Sequence, residues 1–271
     1  MLPESGEYKR VLFSAVKTMP VWLYHPTTVT NPHRIIVAVH GISRHYRHQI
    51  EAYKELAEIY GCWLLVPEFN KQAFPRYQQL AKGATCPRAD LALNTALLAW
   101  KHIQKQHDLK IHLCGYSGGA QFAHRYAMAH PQNVESLVLC SAGWYTFPDP
   151  DVDYPYGTAN WPLWLGPLRV DEMIKLPTLV MVGENDIERE KNLRQSKSLD
   201  LQQGMNRLER ARRWCDAVGE YKRKNSFPNG ICFHRLPGQA HSFECSAKES
   251  DMMQHIADFW YEMEWRQECI V

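Results

Sequence analysis

The chain has 271 residues, of which 45% are apolar and 22% charged, and its net charge is +2. That is enough for one large α/β domain with a substantial core, and too little charge bias to predict nucleic-acid or membrane-surface binding. No apolar run approaches the roughly eighteen residues of a membrane-spanning helix, and the polar start Met1-Leu2-Pro3-Glu4 does not read as a secretory leader, so a cytoplasmic protein is expected.

Short apolar runs alternate with longer amphipathic ones, the pattern of a mostly parallel sheet covered by helices. Val11 to Val16 and Val21 to Tyr24 are predicted as an opening pair of strands. Ile35 to Val39 reads as a buried strand running into His40-Gly41. Tyr46 to Tyr60 is predicted helical, with Ile50, Tyr53, Leu56, Ala57 and Tyr60 on one face. Strand Cys62 to Pro67 and helix Ala89 to Gln106 follow. Ile111 to Cys114 is a strand leading into Gly115-Tyr116-Ser117-Gly118-Gly119, a helix to His130 and a strand from Val134 to Cys140. Beyond these come strand Leu179 to Val182, helix Arg207 to Tyr221, strand Ile231 to Leu236 and helix Met252 to Trp265. With no internal repeat or low-complexity linker, residues 1–271 are expected to form a single domain.

Between Ser141 and Pro177 the alternation lapses into a stretch rich in Trp, Tyr, Pro, Gly and Asp. Long irregular segments inside α/β domains commonly serve as lids or binding loops. Here one would cover the carboxyl ends of the strands, where ligands bind in open sheets. Trp144, Tyr145, Trp161 and Trp164 are therefore the candidate substrate contacts; the plainer alternative is a segment that buries its rings against itself. The 8 cysteines stand singly, at Cys62, Cys86, Cys114, Cys140, Cys215, Cys232, Cys245 and Cys269. Several fall in strand-like runs, so free buried thiols are expected rather than disulfides.

A serine between two glycines at a strand-to-helix turn is the pattern of a nucleophile elbow, which makes Ser117 the candidate nucleophile. Ser14, Ser43, Ser141 and Ser242 lack that setting; Ser43 reads as a helix cap or an extra donor. Acyl transfer by serine also needs a base and an acid to orient it. The loop after strand Leu179 to Val182, Gly183-Glu184-Asn185-Asp186, offers Asp186 with Glu184 as competitor. The loop after the last strand, Gly238-Gln239-Ala240-His241, offers His241 as base. His40, His45 and His48 have no carboxylate or cysteine at ligand spacing, so no metal is expected there. The Lys- and Arg-rich run from 189 to 224, with Arg210, Arg212, Arg213, Lys222, Arg223 and Lys224, is expected to be a solvated helix face.

These motifs, together with His40-Gly41, resemble the α/β-hydrolase superfamily over nearly the whole chain. Val39-His40-Gly41-Ile42, Leu65-Val66-Pro67-Glu68-Phe69, Ser117-Gly118-Gly119-Ala120-Gln121-Phe122 and Ala142-Gly143-Trp144-Tyr145 are similar to bacterial esterases of the polyhydroxybutyrate-depolymerase and feruloyl-esterase group. The resemblance implies an α/β-hydrolase fold and a serine hydrolase that cleaves a small-molecule ester through an acyl-enzyme. Ser117 would be the nucleophile, His241 the base and Asp186 its acid. The backbone N–H groups of Ile42 and Gly118 would form the oxyanion hole. No metal or organic cofactor is implied. The same machinery accommodates a thioesterase or a peptidase, and a catalytically silent ligand-binding protein is the reading from another class.

Overall fold

The computed structural model describes every residue but Met1, Val16, Lys17, His107, Asn229 and Cys269–Val271, and no side chain of residues 264–268. Val16, the expected end of the first strand, and Cys269 thus lie outside the described residues. Strands β1 (Tyr8–Val11), β2 (Val21–Tyr24) and β3 (Arg34–Val39) precede helix α1 (Tyr46–Ile59). Then follow β4 (Trp63–Pro67), α2 (Ala89–Gln104), β5 (Lys110–Tyr116), α3 (Gly118–Ala129) and β6 (Val134–Cys140). The chain continues through α4 (Val170–Lys175), β7 (Thr178–Gly183), α5 (Lys197–Gln203), α6 (Arg207–Lys224) and β8 (Ile231–Leu236), and ends in α7 (Phe243–Glu249) and α8 (Met252–Glu268).

The strands form one sheet in the order β1-β2-β4-β3-β5-β6-β7-β8, antiparallel at β1 and β2 and parallel from β4 onward. From β3 the chain steps outward to β4, then returns across β3 to β5 and proceeds the other way. The reversal between β3 and β5 opens a crevice at their carboxyl ends, the place where ligands bind in such sheets. Ile42 follows β3 and Ser117 follows β5, so the topology alone brings them side by side.

Parallel strands covered on both faces are apolar throughout, yet their side chains still alternate. Ile35, Val37 and Val39 join a core with Leu113, Leu139 and Val180 beneath α2, α3 and α6. Ile36 and Ala38 face the opposite core with Cys114, Val138, Met181 and the buried residues of α1 and α8. Every residue of α3 is buried, which fixes the helix that begins at the site. Cys62, Cys114 and Cys140 are buried in the second core, and the seven described cysteines are free thiols. No helix among the described residues is long and apolar enough to cross a membrane.

The first strand sits earlier than the apolar run Val11 to Val16 suggests. It pairs Tyr8 with Tyr24 and Val11 with Val21 at the sheet edge, where exposed Lys9 and Arg10 leave no apolar signal, and residues 12–15 are not in a strand. The run from 189 to 224 also departs from expectation. Arg207, Arg210 and Lys222 are buried; the two guanidinium groups can be enclosed because each has bonded partners.

Candidate active site

Ser117 caps α3 at φ +54° and ψ −113°, in the left-handed half of backbone space that costs a non-glycine residue on the order of 1–3 kcal/mol. The conformation is held from both sides. Its N–H donates to Cys140 O at 2.8 Å, and its carbonyl accepts from the Gln121 N–H at 3.2 Å. The flanking glycines are demanded by close approach. A Cβ on Gly119 would lie 2.0 Å from Val39 O, and one on Gly115 would lie 2.3 Å from the Gly119 carbonyl carbon.

His241 Nε2 stands 3.1 Å from Ser117 Oγ, and His241 Nδ1 stands 2.8 Å from Asp186 Oδ2. With a carboxylate on Nδ1, that nitrogen carries the proton and Nε2 is free to accept from the serine hydroxyl. Asp186, and not Glu184, faces the histidine; Glu184 points to Arg235 at 3.5 Å. The two loops are stitched together, since the Asn185 N–H donates to Gln239 O at 2.8 Å and its Nδ2 to Gly238 O at 3.1 Å. Below the imidazole, the Tyr116 ring stacks at 5.3 Å with an interplanar angle of 26°.

The other oxygen of Asp186, Oδ1, accepts from Arg207 Nη1 at 3.0 Å, with both side chains almost wholly buried. Arg207 Nη2 reaches Glu190 at 3.1 Å and Asn192 at 3.3 Å. This arginine could not be picked from sequence, because it lies among many basic residues and its partner is 21 positions away.

Opposite Ser117, a Cβ on Gly118 would lie 3.2 Å from the Ile42 nitrogen, so the backbones of Gly118 and Ile42 approach closely. Neither N–H has an acceptor among the described residues. Gly118 is the first residue of α3, where N–H groups have no carbonyl a turn earlier and the helix dipole is positive. The loop carrying Ile42 is braced by His40, which the sequence placed there, and by Tyr77 and Arg44. His40 Nε2 accepts from the Phe69 N–H at 3.3 Å, which leaves Nδ1 to donate to Gly41 O at 2.9 Å. Burial pushes the His40 imidazole down to about 4, so it is neutral near pH 7. Tyr77 OH donates to His40 O at 2.7 Å, and Arg44 Nη1 donates to Ile42 O at 2.9 Å. Ser43 does not cap α1, whose N-cap is His45 with no side-chain bond.

Two cavities meet at Ser117, each also bordered by Ile42, Asn192 and His241. One, of about 340 Å³, runs past His45, His48 and Phe243. The other, of about 220 Å³, is lined by Gly118, Gln78, Gln121, Trp144 and Arg194. Of the four expected aromatic contacts, Trp144 lines the second cavity and the other three line neither. Tyr145 is enclosed against Trp214 at 4.9 Å; Trp161 packs on Tyr154 at 4.9 Å and donates to Gly166 O; Trp164 rests on the core with its carbonyl bonded by Arg88. Their large apolar surfaces complete the core under residues 141–177 instead of facing a ligand.

Neither the family models nor the curated protein sequences give a match to this chain. Solved structures do. The fold is similar to poly(aspartic acid) hydrolase-1 from Sphingomonas sp. KT-1, with TM-score 0.76 and 21% identity over 94% of this chain and 98% of that one. It is similar to a poly(3-hydroxybutyrate) depolymerase from Bordetella parapertussis, with TM-score 0.75 and 21% identity over 95% and 91%. An S-formylglutathione hydrolase from Agrobacterium tumefaciens matches with TM-score 0.59 and 15% identity over 93% of each chain. The eight-stranded, mostly parallel sheet, its reversal between β3 and β5 and these likenesses agree: the chain has the fold of the α/β-hydrolase superfamily.

Proposed function

We propose that the protein is a serine hydrolase that cleaves a small-molecule ester through an acyl-enzyme. Ser117 Oγ attacks the carbonyl carbon while His241 Nε2 takes its proton. The oxyanion settles on the N–H groups of Ile42 and Gly118, which are aligned before substrate arrives and so need no reorganisation. His241 then protonates the departing alcohol, and afterwards activates the water that releases the acid. Asp186 holds the imidazole in the accepting tautomer, and Arg207 holds Asp186. The scheme calls on no metal or organic cofactor.

The observation that carries this reading is the continuous relay from Asp186 through His241 to Ser117, at 2.8 and 3.1 Å, ending beside two free N–H groups. The hydrolase and depolymerase names of the structural neighbours agree with it. A reducing compartment, the cytoplasm, suits the free thiols.

A fluorophosphonate should label the protein stoichiometrically and fail to label Ser117→Ala. That variant should lose p-nitrophenyl ester turnover by about three orders of magnitude or more while keeping its fold. Comparable turnover in Ser117→Ala, or a wild-type protein inert to the label, removes the assignment. Matched oxygen ester, thioester and anilide substrates identify the leaving group, which the relay alone does not dictate.

A further inference from the structure

The cavity beside Trp144 carries a positive charge, that of Arg194, that is not ion-paired among the described residues. The Arg194 guanidinium lies 5.5 Å from the Trp144 ring and 5.4 Å from the Tyr156 ring. It makes no ion pair among the described residues, although carboxylates are near in sequence. Most of those are taken: Glu184 by Arg235, Asp186 and Glu190 by Arg207, and Asp200 by Arg189 and Arg210.

Behind the same indole lies a second cation. Arg125 is fully buried, with its guanidinium 4.0 Å from the Trp144 ring. It is tethered only by neutral acceptors, Thr146 Oγ1 at 3.0 Å, Gln78 O at 2.7 Å and Gln121 O at 3.0 Å, and its Nη2 has no partner. Burial lowers its affinity for the proton to about 10, and repulsion from Arg194 acts in the same direction. At neutral pH it remains charged. Two guanidinium groups thus act on one ring with no carboxylate between them, an arrangement that costs free energy until an anion arrives.

Which part of a substrate would enter follows from the proposed chemistry, on which this inference rests. The leaving group must sit beside the histidine that protonates it, and the larger cavity runs along Ser242 and Phe243, next to His241. The carbonyl oxygen must reach Gly118, which borders only the smaller one. The acyl part therefore occupies the Arg194 cavity. We infer that the preferred substrates carry a carboxylate on their acyl part, and that Arg194 is the residue that binds it, with Trp144 as the platform and Arg125 as a buried source of field.

The test compares mono-p-nitrophenyl glutarate with its neutral methyl ester, whose acyl part has nearly the same shape. Wild-type kcat/KM should favour the acid by about 10-fold or more, as expected for a charge-assisted hydrogen bond. The acid-to-ester ratio should fall to near one in Arg194→Ala and invert in Arg194→Glu, with Arg194→Lys between. A general disturbance of the fold would lower both rates and leave the ratio alone. A wild-type ratio near one, or a ratio unchanged in Arg194→Ala, overturns the inference.

If neither ester turns over, fluorophosphonate labelling reports on Ser117 separately, and the inference is judged by binding. Glutaramate, a carboxylate with a neutral amide, should quench Trp fluorescence of the wild-type protein and not that of Arg194→Ala. Absence of binding to the wild type, or equal binding to both, overturns it.

Discussion

Replacing Arg207 by methionine keeps most of the side-chain volume and removes the guanidinium that donates to Asp186. The guanidinium and carboxylate are 3.0 Å apart and 3% and 1% exposed, so solvent screens them little. At an effective dielectric of about 20, their attraction is about 5 kcal/mol. Removing one partner of a buried pair costs about 3–5 kcal/mol, because the other charge is left enclosed. Asp186 keeps its bond to His241, which places the expected loss at the lower end, about 3 kcal/mol. Urea denaturation followed by Trp fluorescence measures it. The same substitution frees the carboxylate to rotate, and misplacing a catalytic group by about 1 Å can cost about 100-fold. A fall in kcat of about 10- to 100-fold with little change in KM is expected. Arg207→Lys, with one site of donation instead of a fork, should lie between. Stability within about 1 kcal/mol of wild type together with unchanged kcat would refute this account of Arg207.

Acid should destabilise the fold through its buried histidines. Burial holds His112 down to about 3 and His40 to about 4, and it holds fully enclosed His124 well below the usual range. An unfolded imidazole titrates near about 6.5, so below that pH the unfolded chain takes up protons the folded one refuses. This stability is therefore complete above pH ~6.5 and is lost as pH falls towards each folded value. For His112 the loss between pH 7 and pH 5 is about 2 kcal/mol. Denaturant melts of wild type and His112→Asn at both pH values should show a drop smaller by that amount in the variant, whatever its stability at pH 7; parallel pH dependences would sink the argument. Gly119→Ala should not yield a wild-type fold. The new Cβ meets a backbone oxygen at 2.0 Å, which no rotamer change relieves, so a loss beyond about 4 kcal/mol or no soluble protein is expected. A purified variant with wild-type melting temperature and turnover would contradict the elbow geometry.

The sheet was legible because its parallel strands are short apolar runs separated by helical periodicity, and β8 runs from Ile231 to Leu236 as the sequence reads. The edge strand β1 was not, since Lys9 and Arg10 face water and only cross-strand pairing with β2 defines it. Helices α5 and α7 escaped because each has seven residues and buries one or two side chains, too few to show a period. At the site, Ser117, Asp186, His241, Ile42 and Gly118 carry local patterns at strand ends, and the structure brings all five together. Arg207, Tyr77, Arg44 and Arg194 carry none. Their places depend on contacts between distant segments, as with Tyr77 and His40, 37 positions apart. The aromatic stretch misled for a related reason: a tryptophan that lines a cavity and one that fills a core look alike in sequence, and only Trp144 lies at the cavity.

Helix α6 puts two guanidinium groups one turn apart to different uses. Arg207 grips Asp186, while Arg210 donates to Gly143 O at 2.7 Å, next to Trp144. A single helix is thus the common mount for the hydrogen-bonded chain that starts at Asp186 and for the wall of the smaller cavity. The two share a support: the carbonyl of Gly143 and the carboxylate of Asp186 are both held from this helix. A change that displaces this helix would therefore reach the cavity wall and the seat of Asp186 together.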